Sequence, residues 1–308
     1  MTKEYLDLKI DFMFKQLFGH PTRKHITIAF LNDLLGRVGS DRIVDLNFEN
    51  TEYVKDQHEG KTVRLDLTVF TNASERINIE IQLINQHDMP ERILYYWAKT
   101  FSSSIHTGES YLNLPQTIII ILNFPLFPSE TDRFHTIFHI KEDEDHFLWS
   151  HLLQFHVFDL STFMVQWRKY RRKLKEQNLT ELPWLMMLSA ADYRKKRTDP
   201  ELLTELEEWA MNQEQVREAL IEWETLSANK ENRVIYEARM KELRDQLSNL
   251  QGERRLGREE GREKGLKEGK KEGLRDVAKK MLERGMGISD IADITGLSVD
   301  EINNIKKK

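Results

Sequence analysis

Apolar and polar positions alternate in two short segments that face each other across a turn, Arg64-Leu65-Asp66-Leu67-Thr68-Val69 and Asn78-Ile79-Glu80-Ile81-Gln82-Leu83. A period of two predicts β-strands with one wet face and one dry face. The stretch between them, Thr71-Asn72-Ala73-Ser74-Glu75, has the composition of a turn. A hairpin closed symmetrically about Ala73 sets Asp66 opposite Glu80 and Arg64 opposite Gln82. The two carboxylates then stand with Cβ atoms roughly 5 Å apart. Like charges in that relation destabilise a sheet, and a divalent cation between them turns the repulsion into coordination. The pair therefore reads as a metal site.

Elsewhere the pattern predicts a mixed α/β core. Ile10 to Gly19 begins as a short amphipathic helix, and a second helix runs from Arg23 to Leu35, stopped by Gly36. Ile43 to Val54 reads as a strand region followed by a polar turn, Lys55 to Gly60. After Pro90, Glu91 to Ile105 carries Ile93, Leu94, Trp97, Phe101 and Ile105 at helical spacing. A run of four isoleucines within Gln116 to Phe124 predicts a strand buried on both faces. Two more strands are expected at Phe134 to Lys141 and Leu152 to Leu160, joined by the acidic turn Glu142-Asp143-Glu144-Asp145.

From Ser161 onward the pattern is helical and strongly charged, with no further strand signal, which places a domain boundary near residue 160. Residues 161–250 read as a helical region with breaks near Pro183 and Pro200. Through residues 251–274, Gly257, Gly261, Gly265, Gly269 and Gly273 recur four apart. In a helix each costs about 1 kcal/mol relative to alanine. The segment is then either a helix approached closely along its bare track or a flexible charged tether. Residues 275–308 read as three short helices, with Gly296 turning the chain and Ser298 and Glu301 set as a capping box. That order resembles a helix-turn-helix.

Composition narrows the function classes. A chain of 308 residues, 39% hydrophobic and 31% charged, has room for a sizeable core and for two domains with an extension. The absence of cysteine excludes disulfides and thiolate zinc sites and fits a reducing cytoplasm. The first residues lack the design of a signal peptide. The longest apolar stretch, from Thr117 to Leu122 and on to Phe127, is interrupted by Asn123 and Pro125 and is too short to span a bilayer. The expectation is a cytoplasmic protein with no membrane partner. The histidines show no zinc spacing, so no zinc is expected. Trp149, Trp184 and Trp209 read as fillers of cores and helix contacts.

A net charge of −5 gives no global attraction to nucleic acid, so any such contact must come from local basic surface. Two runs supply it: Arg168-Lys169 with Arg171-Arg172-Lys173, interleaved with Trp167 and Tyr170, and Arg194-Lys195-Lys196-Arg197. Solvated helix faces are the alternative reading of both.

In their order along the chain, several motifs resemble the recombination-promoting nuclease and putative transposase (Rpn) family, a branch of the PD-(D/E)XK nuclease superfamily. The resemblance rests on Asp11-Phe12-Met13-Phe14-Lys15 through Phe18-Gly19, on Leu65-Asp66-Leu67, and on Ile79-Glu80-Ile81-Gln82. It continues through Arg92, Tyr95-Tyr96 and Gly108-Glu109-Ser110-Tyr111 to Tyr236-Glu237-Ala238-Arg239 and the glycine series. It implies a PD-(D/E)XK restriction-endonuclease-like α/β core (αβββαβ, mixed sheet) followed by an α-helical C-terminal region. The implied activity is a bacterial-type, Mg²⁺-dependent DNA endonuclease, with Mn²⁺ able to substitute. Its breaks would favour recombination, and the family name adds a link to mobile elements. By this resemblance Asp66 is similar to the superfamily's metal-binding aspartate and Glu80 to the second acid, with the backbone carbonyl of Ile81 as a further ligand. Gln82 stands where many superfamily members have lysine, a departure shared with the family's own Glu-x-Gln form.

Magnesium favours oxygen ligands near 2.1 Å and keeps several waters, so two carboxylates plus a substrate phosphate suffice. Gln82 is no base at neutral pH, but its amide can orient a water or donate to phosphate. The missing cation is assigned to Lys99 on the following helix, with Lys15 on the first helix as the alternative. Asp11 either binds the metal through water or caps its helix. Lys15, Arg92, Tyr96, Arg168, Arg171 and Arg172 are the candidates for DNA contact, with helix packing as the alternative for Arg92 and Tyr96. Cutting both strands requires two active sites, so a homodimer is expected, assembled through the glycine-striped helix. The competing reading is a nuclease fold that no longer cuts and serves as a DNA-binding or interaction protein. A third is that the C-terminal region only oligomerises.

Overall fold

The computed structural model describes residues 4–49, 66–82, 88–123, 126–127, 130–194 and 197–306. The polar turn 55–60, residues 50–54 of the first strand region, Arg64, Leu65, Leu83, Lys195 and Lys196 lie outside the described residues.

The chain opens with α1 (Asp11–Phe18), whose Met13, Phe14, Leu17 and Phe18 are all buried. It stops at Gly19, where a Cβ would come within 2.9 Å of the Lys15 carbonyl oxygen, so only glycine fits that close approach. A 3₁₀ turn, Pro21–Arg23, leads into α2 (Lys24–Leu34). Three antiparallel strands follow: β1 (Leu46–Glu49), β2 (Leu67–Thr71) and β3 (Glu75–Ile81). Helix α3 (Met89–Ser102) then crosses over to β4 (Gln116–Asn123), which runs parallel to β3, as a crossover helix permits. β5 (His135–Phe138) and β6 (Leu153–Asp159) complete a six-stranded mixed sheet of order β1-β2-β3-β4-β6-β5, with β6 parallel to β4.

Side-chain alternation divides the sheet into two dry faces. On one, Met89, Ile93 and Trp97 of α3 cover Ile119, Ile121, Leu153, Phe155 and Val157. The other carries Leu67, Val69, Ile77, Ile79, Ile118 and Ile120, all buried. Burial on both faces explains the unbroken isoleucine run of β4.

The remaining elements are α4 (Leu160–Glu176), α5 (Leu182–Ala190), β7 (Ala191–Asp192), β8 (Arg197–Thr198), α6 (Pro200–Asn212), α7 (Glu214–Ala228), α8 (Lys230–Glu283), α9 (Ile288–Thr295) and α10 (Val299–Lys306). Pro183 and Pro200 open α5 and α6 at positions where a missing N–H is harmless. The two-residue ladder of β7 and β8 corrects the expectation of no strand after residue 160. The contacts divide the chain into two compact units, Met1–Lys241 and Glu242–Lys308. The change of pattern near residue 160 is thus a change of secondary structure within the first unit, because α7 packs on α1 and α2.

Inside that unit the segment before α1 is tied to its far end. The Leu6 N–H donates to Ser227 Oγ at 3.0 Å, and the Trp223 indole donates to the Leu6 carbonyl at 2.8 Å. Asp7 is 1% exposed and accepts from the Lys9 and Tyr193 N–H groups at 2.9 and 3.0 Å, while its own N–H donates to the Tyr236 hydroxyl. Tyr236, part of the Tyr-Glu-Ala-Arg motif, therefore anchors the chain rather than a ligand. Asp7→Ala strands those donors, and chemical denaturation is expected to show a loss of about 3 kcal/mol.

In the second unit the glycine series is helical: α8 runs unbroken through it to Glu283, so the first of the three expected short helices is its final turns. A Cβ at any of Gly257, Gly261, Gly265, Gly269 or Gly273 would meet nothing within 4 Å. α9 ends at Gly296 with φ +69°, a left-handed cap. Ser298 and Glu301 exchange their expected bonds, Ser298 N–H to Glu301 Oε2 at 3.1 Å and Glu301 N–H to Ser298 Oγ at 3.3 Å. Ala278, Ile291, Leu297 and Ile302 form the small core of this unit. Among the described residues no helix is long and apolar enough to cross a membrane.

Candidate metal and nucleic-acid site

The β2–β3 pairing sets Leu67 opposite Ile79, Thr68 opposite Asn78 and Val69 opposite Ile77, a register symmetric about Ala73. One step further, Asp66 stands opposite Glu80. Asp66 Oδ2 accepts from the Ile81 N–H at 2.6 Å. Glu80 is 4% exposed, and its Oε1 accepts from the Arg92 guanidinium at 3.2 Å. Its Oε2 is buried with no hydrogen-bond partner among the described residues.

Burial pushes both carboxyl groups well above the usual carboxylate range. For Glu80 the negative charge of Asp66 adds to desolvation, against the pull of Arg92, Lys15 and the Asp66 backbone N–H. For Asp66 desolvation is opposed by the Ile81 N–H, Lys15 and Arg92, while Asp11 raises it further. Asp11 and Lys15 are thus brought to the site together, one turn apart on α1. The site is short of positive charge, and an orphaned carboxylate oxygen beside a second acid is what a hard cation would complete. Among the described residues no group of three or more His, Asp or Glu side chains could hold a metal. The remaining ligands would be a backbone carbonyl, water and phosphate, the mixture magnesium accepts.

Gln82 extends the ladder, its N–H donating to the Leu122 carbonyl at 3.1 Å, and the residue borders a cavity behind the hairpin. Lys99 lies two turns beyond Arg92 on α3, with its ammonium 5.8 Å from the centre of the Tyr95 ring. The sequence favours Lys99 for the missing cation, with Lys15 as the alternative. Lys15 and Arg92 carry positive charge that bears on both acids. Arg92 also donates to the Tyr96 hydroxyl at 2.6 Å, so the Arg92–Tyr96 pair serves Glu80. Only the helical spacing of that pair hinted at this in sequence.

The basic run of α4 divides. Arg171 is ion-paired with the fully buried Glu205, which also takes Lys175 at 2.5 Å. Arg172 lies open beside Glu176 at 3.2 Å. Arg168 borders the same cavity as Gln82, with Asp199 at 3.8 Å. Trp184 fills the core as expected, donating to Asp33 Oδ2 at 2.7 Å, but Trp149 is 78% exposed on the β5–β6 connection.

A mixed sheet whose hairpin sets an aspartate against a glutamate, flanked by α1 and α3, is the architecture of a PD-(D/E)XK nuclease. Residues 8–253 match the PD-(D/E)XK nuclease family transposase, and residues 271–307 match the C-terminal HTH domain of the Rpn/YhgA-like nuclease family. The chain belongs to this family of PD-(D/E)XK transposase-like nucleases. No curated protein and no solved structure matches it.

Proposed function

We propose that the protein is a Mg²⁺-dependent DNA endonuclease that hydrolyses phosphodiester bonds and so promotes recombination. The observation that carries this reading is the Asp66–Glu80 pair, a half-buried and a buried acid set side by side and both pushed toward their protonated forms. Asp66, Glu80 and the Ile81 carbonyl would hold the cation, with Asp11 within reach of a shared water. When bound, the metal would supply Lewis acidity toward the phosphate and lower the pKa of a water. The chain's own groups do the rest. Lys15 offsets charge growing on the phosphate, the Gln82 amide orients the water, and Arg92 holds Glu80 in place. Arg172 and the helix-turn-helix unit would give salt-dependent, sequence-blind contact to the DNA backbone. Double-strand cleavage would need two copies of the site, and hence a homodimer.

Incubation with supercoiled plasmid and Mg²⁺ is expected to give nicked circles, with none after EDTA and none from Asp66→Ala. Equal nicking by wild type and Asp66→Ala would remove the assignment.

The Arg92–Glu80 ion pair favours a second reading, in which the guanidinium stands in for the cation and the fold binds DNA without cutting it. Salt-sensitive DNA binding with no nicking in Mg²⁺ or Mn²⁺ would decide for it.

A further inference from the structure

A cavity of ≈ 300 Å³ opens at the carboxyl ends of β3 and β4. Ligands in open α/β sheets sit beyond the carboxyl ends of parallel strands, where successive connections leave to opposite faces. Here α3, which connects β3 to β4, covers one face, and α4, which follows β6, contacts β4. The cavity floor is apolar, made by Ile81, Leu122, Leu160 and Met164. Gln82, two residues from Glu80, forms part of its wall, so the cavity adjoins the acid pair. Strand alternation puts Ile81 on the face away from Glu80, so the opening lies behind the hairpin.

The polar groups around it have a definite order. Arg168, Arg194 and Arg197 stand at the border with Asp192 and Asp199; Asp199 lies 3.8 Å from Arg168, and Arg194 Nε donates to the Tyr193 hydroxyl at 3.1 Å, so the arginines of the lining outnumber its carboxylates by one. Lys9 also lines the cavity, but its ammonium is held by the Leu188 and Ala191 carbonyls, both at 2.8 Å, and by Asp7. Within the wall the Ser189 hydroxyl is buried with no hydrogen-bond partner among the described residues. A ligand that satisfies all of this has an anionic group for the arginines, a flat apolar body for the floor and a polar edge for Ser189. Those are the parts of one nucleotide. The volume is at the lower limit for small-molecule sites and leaves no room for a base pair.

We propose that this cavity receives one unpaired nucleotide of the strand to be cut, so that the protein selects single-stranded or locally opened DNA. The proposal rests on the endonuclease reading for its substrate. Taking a base out of a duplex is least costly where it is already unpaired, which makes the cavity a selector.

The test is fluorescence anisotropy of the full-length chain, in EDTA so that nothing is cut. It compares a fully paired duplex with the same duplex carrying one unpaired nucleotide. Wild type is expected to bind the second about tenfold more tightly. Met164→Trp, which fills the floor, and Arg194→Ala, at the exposed border, should each bring the two affinities together. If Met164→Trp does not fold, Arg194→Ala decides alone. Equal wild-type affinity for both duplexes, or an unchanged preference in Arg194→Ala, overturns the proposal. A chain that shows the preference yet never nicks plasmid loses the endonuclease reading and keeps the cavity. A chain that nicks without the preference loses only the cavity.

Discussion

Glu80→Gln is expected to lower DNA cleavage sharply and at the same time to make the folded chain more stable near neutral pH. The two effects share one cause. Glu80 is pushed up by burial and by the charge of Asp66, so the folded state holds its proton more tightly than the unfolded state. For such a group the folded form is favoured at low pH. The penalty appears as pH rises through the ordinary carboxylate value of 4.5 and grows until the raised folded value is passed. Glutamine keeps the shape and carries no charge to desolvate. Thermal melts should therefore show Glu80→Gln above wild type at neutral pH and level with it in acid, by about 2–4 °C for each kcal/mol relieved. Plasmid nicking should fall by on the order of 10³-fold, as when a group that acts on the transition state is removed. Damage to the core would lower both stability and activity, so a variant that loses cleavage while gaining stability identifies a functional acid.

Lys15→Ala is expected to slow nicking by roughly 10²-fold with little change in stability. Lys15 carries the positive charge that reaches both acids from α1, and its partner in the motif, Asp11, reaches Asp66. Single-turnover rates at saturating Mg²⁺ would place the loss in the chemical step. Lys99→Ala, in contrast, should leave the rate close to wild type, since its ammonium sits over Tyr95. The reverse ranking would return the cationic role to α3.

Much of this arrangement is legible in the chain itself. The period of two and the short turn centred on Ala73 determine the β2–β3 register, because a one-residue slip would turn every side chain to the wrong face. The isoleucine run announces β4, and the Ser298–Glu301 spacing announces the start of α10. What was hidden depends on distant contacts. The charged composition after residue 160 conceals narrow apolar stripes by which α7 closes on α1 and α2. Glu205 gives no local sign that it will be buried against Arg171 and Lys175, removing Arg171 from the apparent DNA-binding run. The pairing of Arg92 with Glu80 joins a helix to a strand through tertiary packing that spacing alone does not show. The glycine series reads equally as tether or helix, since each glycine weakens a helix that its Glu, Lys and Arg neighbours favour.

The central claim is that Asp66 and Glu80 share one hard cation, and titration of the full-length chain with Mn²⁺, followed by electron paramagnetic resonance of the free ion, tests it most directly. Because both acids must lose their protons to bind, the affinity should rise with pH. The expected result is one Mn²⁺ per chain in wild type, competed by Mg²⁺ and absent in Asp66→Ala and Glu80→Gln. Mn²⁺ uptake that is undiminished in both variants, or no uptake by wild type at alkaline pH, would contradict it.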